Sequence, residues 1–206
     1  MNKDIEKSFF KNELMSFEAV KIFENKVAEF YGAPYAVAVD ACTHGIELCV
    51  RLQNLSYISV PKRTYISVPF LANKLKINLE WRDEEWQDYY KVNNHFKPIY
   101  DAAVLWEKDS YIPGSFMCLS FQFAAIELKK MVYDGRLPEI PWRDQNIESY
   151  GYHYYMTPET AQLGLDKFDD AVKTKPKQWV ITDWPDLSKM KVFNKEEGID
   201  PYLQTR

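Results

Sequence analysis

The 206-residue sequence has few of the residues that indicate a disulfide-rich, metal-binding or membrane protein. Its cysteines, Cys42, Cys49 and Cys118, are odd in number and lie in apolar stretches, which favours buried free thiols in a reducing compartment. The three histidines are far apart, and no Cys/His spacing suggests a zinc or other metal site. No apolar run approaches membrane-spanning length, and the start of the chain is too charged for a signal peptide.

The sequence also has no excess of positive charge. The formal net charge is −4 and there is no long basic run, which argues against nucleic acid as the main partner. Hydrophobic residues make up 46% of the sequence and aromatic residues 16%, so the chain should bury a substantial core. We therefore expect a soluble, cytoplasmic domain with no nucleic acid, membrane or metal partner.

Hydrophobic patterns along the chain alternate between those of strands and those of helices. Short apolar or alternating runs predict strands at 36–39, 57–60, 78–81, 98–101 and 115–123. Helical spacing predicts helices at 16–31, 45–52, 66–74, 124–134 and 157–172, and residues 82–96 are predicted to be a surface connection. This order predicts an α/β fold over residues 1–172, a mostly parallel sheet with helices on both faces, followed by an extended tail at 173–206.

In such sheets ligands bind where strands end and helices begin. Three loops should share that edge, namely 40–44, 62–65 and the residues after Tyr100. The turn at 40–44 leads straight into a helix, so its free N–H groups, the helix dipole and the Thr43 hydroxyl would suit an anion. An isolated turn of this kind is more often an ordinary connection that binds nothing.

Other polar and aromatic residues near these ends have two interpretations each. Asp101 ends a buried strand, where it could cap a helix, form an ion pair or bind a cation such as a protonated pyridine nitrogen. Tyr65 could stack on a planar ring or belong to the core. Ser120 and Gln122 alternate with apolar residues on a buried strand and need partners in the protein or a ligand. His153, considered alone, is more often structural.

Five sequence motifs follow one another in a characteristic order. They are FYGAPYAVAVDACT at 30–43, VPKRTY at 60–65, YDAA at 100–103, SFQ at 120–122, and GYHYYM at 151–156 followed by AQLGL at 161–165. Together they resemble the DegT/DnrJ-type pyridoxal-phosphate-dependent sugar aminotransferases, which have the aspartate-aminotransferase-like fold. The resemblance implies the large domain of a fold-type-I enzyme, pyridoxal 5′-phosphate as cofactor, and a short version that lacks most of the C-terminal domain.

The resemblance also implies roles around the cofactor phosphate. Thr43, with the backbone at Cys42 and His44, would hold the phosphate at the helix N-terminus. His153 stands where the family usually has asparagine and would approach the phosphate from a second subunit. A homodimer with a shared active site is therefore implied.

Four further residues would surround the ring of the cofactor according to the same resemblance. Tyr65 would stack on the pyridine ring and Asp101 would pair with its nitrogen, while Ser120 and Gln122 would line the floor of the site. Tyr155 replaces the arginine of the family motif, which leaves the sugar specificity open.

One part of the family pattern is absent from the sequence. The family's Schiff-base lysine should lie in a segment after the SFQ strand, but Phe123 is followed directly by Ala124. Lys129 and Lys130 are poor substitutes because they lie on a helix that matches a non-catalytic part of the family. Either the segment has been lost, or it belongs to the protein and is missing only from this sequence. We expect the second, since a deletion would leave a parallel strand without its partner.

The expected function is amino transfer, with glutamate as the likely donor and a nucleotide-linked keto sugar as substrate. A dehydratase variant of this chemistry is also compatible with the sequence. One alternative is a catalytically inactive cofactor- or sugar-binding relative of the same fold. The other is an α/β module that binds a nucleotide phosphate at 40–44 without pyridoxal phosphate.

Overall fold

The computed structural model describes residues 3–119, 154–174 and 183–193, with side chains from Phe17 onward. Its helices are α1 (Lys3–Tyr31), α2 (Cys42–Leu52), α3 (Ser67–Leu75) and α4 (Pro158–Thr174), with a short 3₁₀ helix at Leu187–Lys189. Its strands are β1 (Tyr57–Pro61), β2 (Asn78–Arg82), β3 (Tyr90–Lys91), β4 (Ile99–Asp101) and β5 (Phe116–Cys118).

The strands form two hydrogen-bonded groups in which parallel pairing dominates. Strands β1 and β2 are parallel, as are β4 and β5, whereas β3 runs antiparallel to β4 and places Tyr90 opposite Asp101. The backbone N–H of Ser59 in β1 donates to the carbonyl of Val92 at 2.9 Å, which links the two groups. The predicted α/β class with a mostly parallel sheet is confirmed.

Helices cover both faces of the strands. Phe116 and Cys118 of β5 pack into one apolar cluster with α2 and α3, whereas Met117 and Leu119 pack into a second cluster with α1 and α4. The alternation arises because successive side chains of a strand point to opposite faces. This two-sided burial is the architecture that the sequence predicted.

The predicted strand at 36–39 is wrong as a parallel strand, although its burial is as expected. Val37 and Val39 pack on one face and Ala36 and Ala38 on the other. Within the described residues, however, the segment's strand-like contact is a single antiparallel bridge between Val39 and Tyr155. Apolar alternation specifies which faces are buried, but it does not specify the pairing partner.

Two other predictions also need correction. Helix α1 begins at Lys3, so Ser16 lies inside the helix instead of capping it, because the preceding residues are mostly adequate helix formers. Residues 82–96 are more than a surface connection, since they contain β3 and the buried residues Tyr90, Val92 and Asn93. The predicted end of α1 at Gly32 is confirmed by its φ of +70°.

Helix α4 begins as predicted and packs against α1. The Thr157 hydroxyl accepts a hydrogen bond from the backbone N–H of Thr160 at 3.4 Å, which is the expected N-cap contact. Inside the helix, Gly164 lies against the Phe23 ring of α1. The segment 183–193 packs back on the domain through the N–H of Leu187, which donates to the Lys62 carbonyl at 2.9 Å.

Several predictions lie outside the described residues. They concern the helix at 124–134, the end of the strand at 115–123, and the site residues Ser120, Gln122 and His153. The 206-residue chain runs directly from Phe123 to Ala124, so the lysine-bearing segment that we expected at this point is not in it. The boundary between the domain and a tail at 173 stays a prediction.

Candidate functional site

The N-termini of α2 and α3 meet at a pair of hydroxyl groups. Thr43 Oγ1 in the first turn of α2 lies 2.5 Å from Ser67 Oγ at the start of α3. The residues that precede these helices, Ala41 and Ile66, make no side-chain capping hydrogen bond, and neither first turn contains an acidic residue. Two positive helix-dipole ends therefore converge beside hydroxyl donors, an arrangement that suits an anion.

Helix α2 begins three residues before the predicted Gly45, so the predicted site residues form its first turn. The backbone N–H of His44 already donates to the Ala41 carbonyl at 3.0 Å. The backbone donors that α-helix geometry leaves for a ligand are therefore those of Cys42 and Thr43. The backbone N–H of His44, one of the two predicted backbone contacts, is therefore already engaged within the first turn of α2.

The His44 side chain is held against its surroundings. Its Nδ1 lies 2.7 Å from Asp40 Oδ1, and its ring stacks on Tyr154 at a centroid distance of 4.0 Å. Tyr154 in turn connects to α3, because Lys74 Nζ donates to its hydroxyl at 3.1 Å. These contacts fix the first turn of α2 against the segment that precedes α4.

A buried carboxylate ties α2 to α3 below this turn. Glu47 is fully buried and accepts two hydrogen bonds from Arg51, at 2.9 and 2.8 Å, and one from Lys74 at 2.6 Å. Burial acts to lower the pKa of Lys74, but its bonds to Glu47 and Tyr154 outweigh that effect and raise it. Charged groups as well as apolar packing thus hold α2 against α3.

Asp101 lies at the end of β4 and close to the start of α2. Its Oδ2 accepts a hydrogen bond from the Tyr90 hydroxyl at 2.7 Å, and its Oδ1 accepts from the Ala103 N–H at 3.2 Å. The Cys42 thiol lies 3.9 Å from Oδ1. Burial raises the pKa of Asp101, and the bonds from Tyr90, Ala103 and Cys42 offset only part of that rise.

Tyr90 joins Asp101 to the loop at 62–65. Its hydroxyl oxygen lies 2.7 Å from Thr64 Oγ1 as well as 2.7 Å from Asp101 Oδ2. Because an ionised carboxylate only accepts, Tyr90 donates to Asp101 and accepts from Thr64. The structure thereby brings all three predicted loops together. Sequence reasoning missed Tyr90, although the apolar residues Tyr90 and Val92, alternating with Lys91 and Asn93, are a short strand pattern.

Tyr65 is not a core residue. Its side chain is 64% exposed, in contrast to the neighbouring Thr64, which is buried. An aromatic ring at the start of α3 with this exposure can offer a face to a planar ligand. A separate groove of about 760 Å³ runs beside β3, lined in part by Trp86, Tyr89 and Tyr100, and none of the predicted site residues line it.

Across residues 3–119, 154–174 and 183–193, no group of three or more His, Cys, Asp or Glu side chains could hold a metal ion. No helix there is long and apolar enough to cross a membrane.

The family comparison matches the first part of the chain. Residues 1–77 match the DegT/DnrJ/EryC1/StrS aminotransferase family. The match contains α1, α2, β1 and α3, and with them Cys42, Thr43 and Tyr65. A comparison with curated proteins finds no match to this sequence.

Solved structures with a similar fold extend over more of the chain. The structure of 3-amino-5-hydroxybenzoic acid synthase has a TM-score of 0.57 and 17% identity, covering 82% of this chain and 63% of that one. The putative sugar aminotransferase Spr1654 from Streptococcus pneumoniae, in its PLP form, has a TM-score of 0.59 and 13% identity, covering 76% and 60%. PseC from Helicobacter pylori, an aminotransferase involved in pseudoaminic acid biosynthesis, has a TM-score of 0.52 and 10% identity, covering 76% and 58%.

These similarities show the fold, which is that of the fold-type-I aminotransferases. The chain spans about three-fifths of the length of these solved structures.

Proposed function

We propose that this chain binds pyridoxal 5′-phosphate and belongs to an enzyme that transfers an amino group from glutamate to a keto group of a nucleotide-linked sugar. The family match over residues 1–77 and the shared fold support the proposal. The observation that carries it is the convergence of two uncapped helix N-termini with the buried carboxylate of Asp101. When bound, the cofactor supplies the electron sink for amino transfer.

The start of α2 fits the phosphate of this cofactor. A phosphate needs several donors, and the N–H groups of Cys42 and Thr43 lie at the open end of the helix. The Thr43 and Ser67 hydroxyls, 2.5 Å apart, can both turn toward it. We propose that these groups bind the phosphate, that the His44 ring with its Asp40 and Tyr154 contacts braces the turn, and that the partner's His153 completes the site in a homodimer.

The carboxylate of Asp101 suits the protonated pyridine nitrogen of the cofactor. A carboxylate offers about four acceptor positions, and close donors occupy two of them here, from Tyr90 and Ala103. The Cys42 thiol at 3.9 Å is a weak third contact. One acceptor position therefore remains for another donor, so Asp101 would hold a proton at the pyridine nitrogen. Tyr65, 64% exposed, would orient the ring by stacking, and Ser120 and Gln122 would line its floor.

The absence of the expected lysine segment favours a second candidate function. Because Phe123 is followed directly by Ala124, this chain has no lysine where the family pattern puts one. A chain with the site but without that base would bind the cofactor or a sugar and would not transfer amino groups. We propose this non-catalytic role as the alternative, with residues 1–172 as the cofactor-binding unit, in the cytoplasm in either case.

Measuring cofactor binding and then reducing the protein with borohydride distinguishes the two candidate functions. The purified chain is mixed with pyridoxal 5′-phosphate, its absorption spectrum is recorded, and the reduced protein is digested and analysed by mass spectrometry. Amino transfer is supported by three results together. Reduction removes a visible absorption band, the digest contains a modified lysine, and glutamate changes the absorption spectrum. Saturable binding with no modified lysine supports the non-catalytic role.

A matched variant controls for non-specific binding. Asp101→Asn keeps the shape of the side chain but cannot carry the negative charge, so it should weaken cofactor binding. Absence of binding by the wild-type chain, or unchanged binding by Asp101→Asn, contradicts the proposal. Binding of a nucleotide in place of the cofactor, insensitive to Asp101→Asn, identifies a nucleotide-phosphate module. An intact mass above 24.3 kDa would show that the protein holds more residues than this chain.

A further inference from the structure

The hydroxyl of Tyr90 lies next to Asp101 and has no role of its own in the proposed function. Tyr90 is 3% exposed, and its hydroxyl lies 2.7 Å from both Thr64 Oγ1 and Asp101 Oδ2. A buried tyrosine needs a hydrogen-bond partner, and any backbone carbonyl would satisfy that need. Pairing it with the buried carboxylate of Asp101 is a more specific arrangement.

We propose that Tyr90 is a positioning residue of this site: its hydroxyl, oriented by Thr64, holds the Asp101 carboxylate ionised and in place for a protonated pyridine nitrogen. The part that concerns the pyridine nitrogen rests on the proposed function. The part that concerns the coupling between Tyr90 and Asp101 does not, and it can be tested without cofactor.

Packing around Tyr90 fixes the direction of its hydroxyl. Tyr90 faces Asp101 directly in the antiparallel pair of β3 and β4, so the two side chains leave the same side of the sheet. Trp86 packs edge-on against the phenol ring at a centroid distance of 4.8 Å, and its indole N–H donates to the Arg63 carbonyl at 2.8 Å. The ring is therefore held between its own strand and the loop that carries Thr64.

The groups around Asp101 determine how strongly the Tyr90 hydroxyl affects the charge of its carboxyl. Within the described part of the chain, the titratable groups that face Asp101 are Tyr90 from β3, Cys42 from α2 and Cys118 from β5, and none of these three carries a positive charge. Burial raises the pKa of Asp101, and the Tyr90 hydrogen bond is the largest influence that lowers it. Without that bond the carboxyl would take up a proton more readily and would offer less negative charge to a ligand.

The first test measures stability against pH in the cofactor-free chain. Since the pKa of Asp101 is raised in the folded state, stability falls as pH rises from the unfolded pKa to the folded one, and is level above both. Tyr90→Phe raises the folded pKa further, so its destabilisation should be larger at neutral pH than in acid, where the carboxyl is protonated in both states. In an Asp101→Asn background this pH dependence should disappear.

Tyr31→Phe is the matched control for this measurement. Tyr31 is also buried, but its hydroxyl donates to a backbone carbonyl, that of Leu105, at 2.6 Å. Its loss should cost the same at every pH from acid to neutral. If Tyr90→Phe behaves like Tyr31→Phe, the Tyr90 hydroxyl only satisfies a buried polar group and the inference is wrong. If Tyr90→Phe does not fold, Thr64→Val, which keeps the phenol but removes its orienting donor, should show the same pH dependence in weaker form.

The second test asks whether the coupling reaches the ligand. The probes are pyridoxal 5′-phosphate and a carbocyclic analogue in which C–H replaces the ring nitrogen, and their dissociation constants are measured by fluorescence quenching. The wild-type preference for the cofactor over the analogue should fall about tenfold in Tyr90→Phe, as expected for a lost bond to a charged group. Asp101→Asn should abolish it and Tyr31→Phe should leave it intact.

Failure of the two tests has different meanings. If the wild-type chain binds neither probe, the proposed function fails, while the stability measurement still decides the coupling of Tyr90 to Asp101. If the cofactor binds and its preference over the analogue is unchanged in Tyr90→Phe, the proposed function survives and the positioning role of Tyr90 is refuted.

Discussion

Replacing the buried carboxylate Glu47 by glutamine should destabilise the chain much more than removing an exposed ion pair. Glu47 is fully buried, and its two oxygens accept from Arg51 and Lys74. A glutamine of the same shape has only one acceptor oxygen, so its N–H₂ group must face a donor of one partner. The lost charge-assisted hydrogen bond corresponds to about 2 kcal/mol. In a chain of this size that lowers the Tm by roughly 4–8 °C.

Thermal and urea unfolding of three variants tests this reasoning. Lys74→Met should cost less than Glu47→Gln, because Lys74 is 47% exposed and Glu47 keeps Arg51. Asp169→Asn is the control: its pair with Lys26, at 2.9 Å, is largely exposed, and its loss should cost about 0.5 kcal/mol or less. Equal stabilities of Glu47→Gln and Asp169→Asn would refute the view that this carboxylate fastens α2 to α3.

Three further predictions concern packing, stacking and thiol reactivity. Gly164→Ala should cost about 1–3 kcal/mol in urea unfolding, because the new Cβ would lie 2.7 Å from the buried Phe23 ring; a gain in stability, as at an exposed helix position, would contradict this. Tyr65→Ala should weaken pyridoxal 5′-phosphate binding without lowering the unfolding midpoint, since the side chain is 64% exposed, and a lowered midpoint would place it in the core. Burial and the nearby Asp101 raise the pKa of Cys42, so iodoacetamide should alkylate it slowly at neutral pH and faster as pH rises; rapid neutral labelling, lost in Cys42→Ser, would refute that.

The sequence correctly predicted those strands and helices whose signals lie within a few neighbouring residues. The strand at 57–60 and the helix that starts at Thr157 are both confirmed, because an apolar run and a threonine–proline cap each act within a few residues. The run at 36–39 was predicted to be buried, and it is. Its predicted parallel pairing was wrong, because the choice of a partner strand depends on residues far away in the chain.

For the candidate site, too, some residues could be predicted from local patterns and others could not. Thr43, Tyr65 and Asp101 were predicted as site residues, because motif order and strand ends indicate which residues reach one edge of a sheet. Tyr90 was missed, because it lies in a charged stretch of 82–96 that resembles a surface connection. Its contact with Asp101 depends on the pairing of β3 with β4, which places the Tyr90 hydroxyl within hydrogen-bond distance of the carboxylate.

By itself, the sequence determined the α/β class and the two-sided burial, and it predicted a helix start close to Thr43. Periodicity and helix-start chemistry are properties of neighbouring residues, so they can be read along the chain. Only the tertiary structure decided that His44 uses its N–H internally, that Ser67 joins Thr43, and that Tyr90 holds Asp101. Those contacts join residues from different elements, and their distances depend on how the whole sheet and its helices pack.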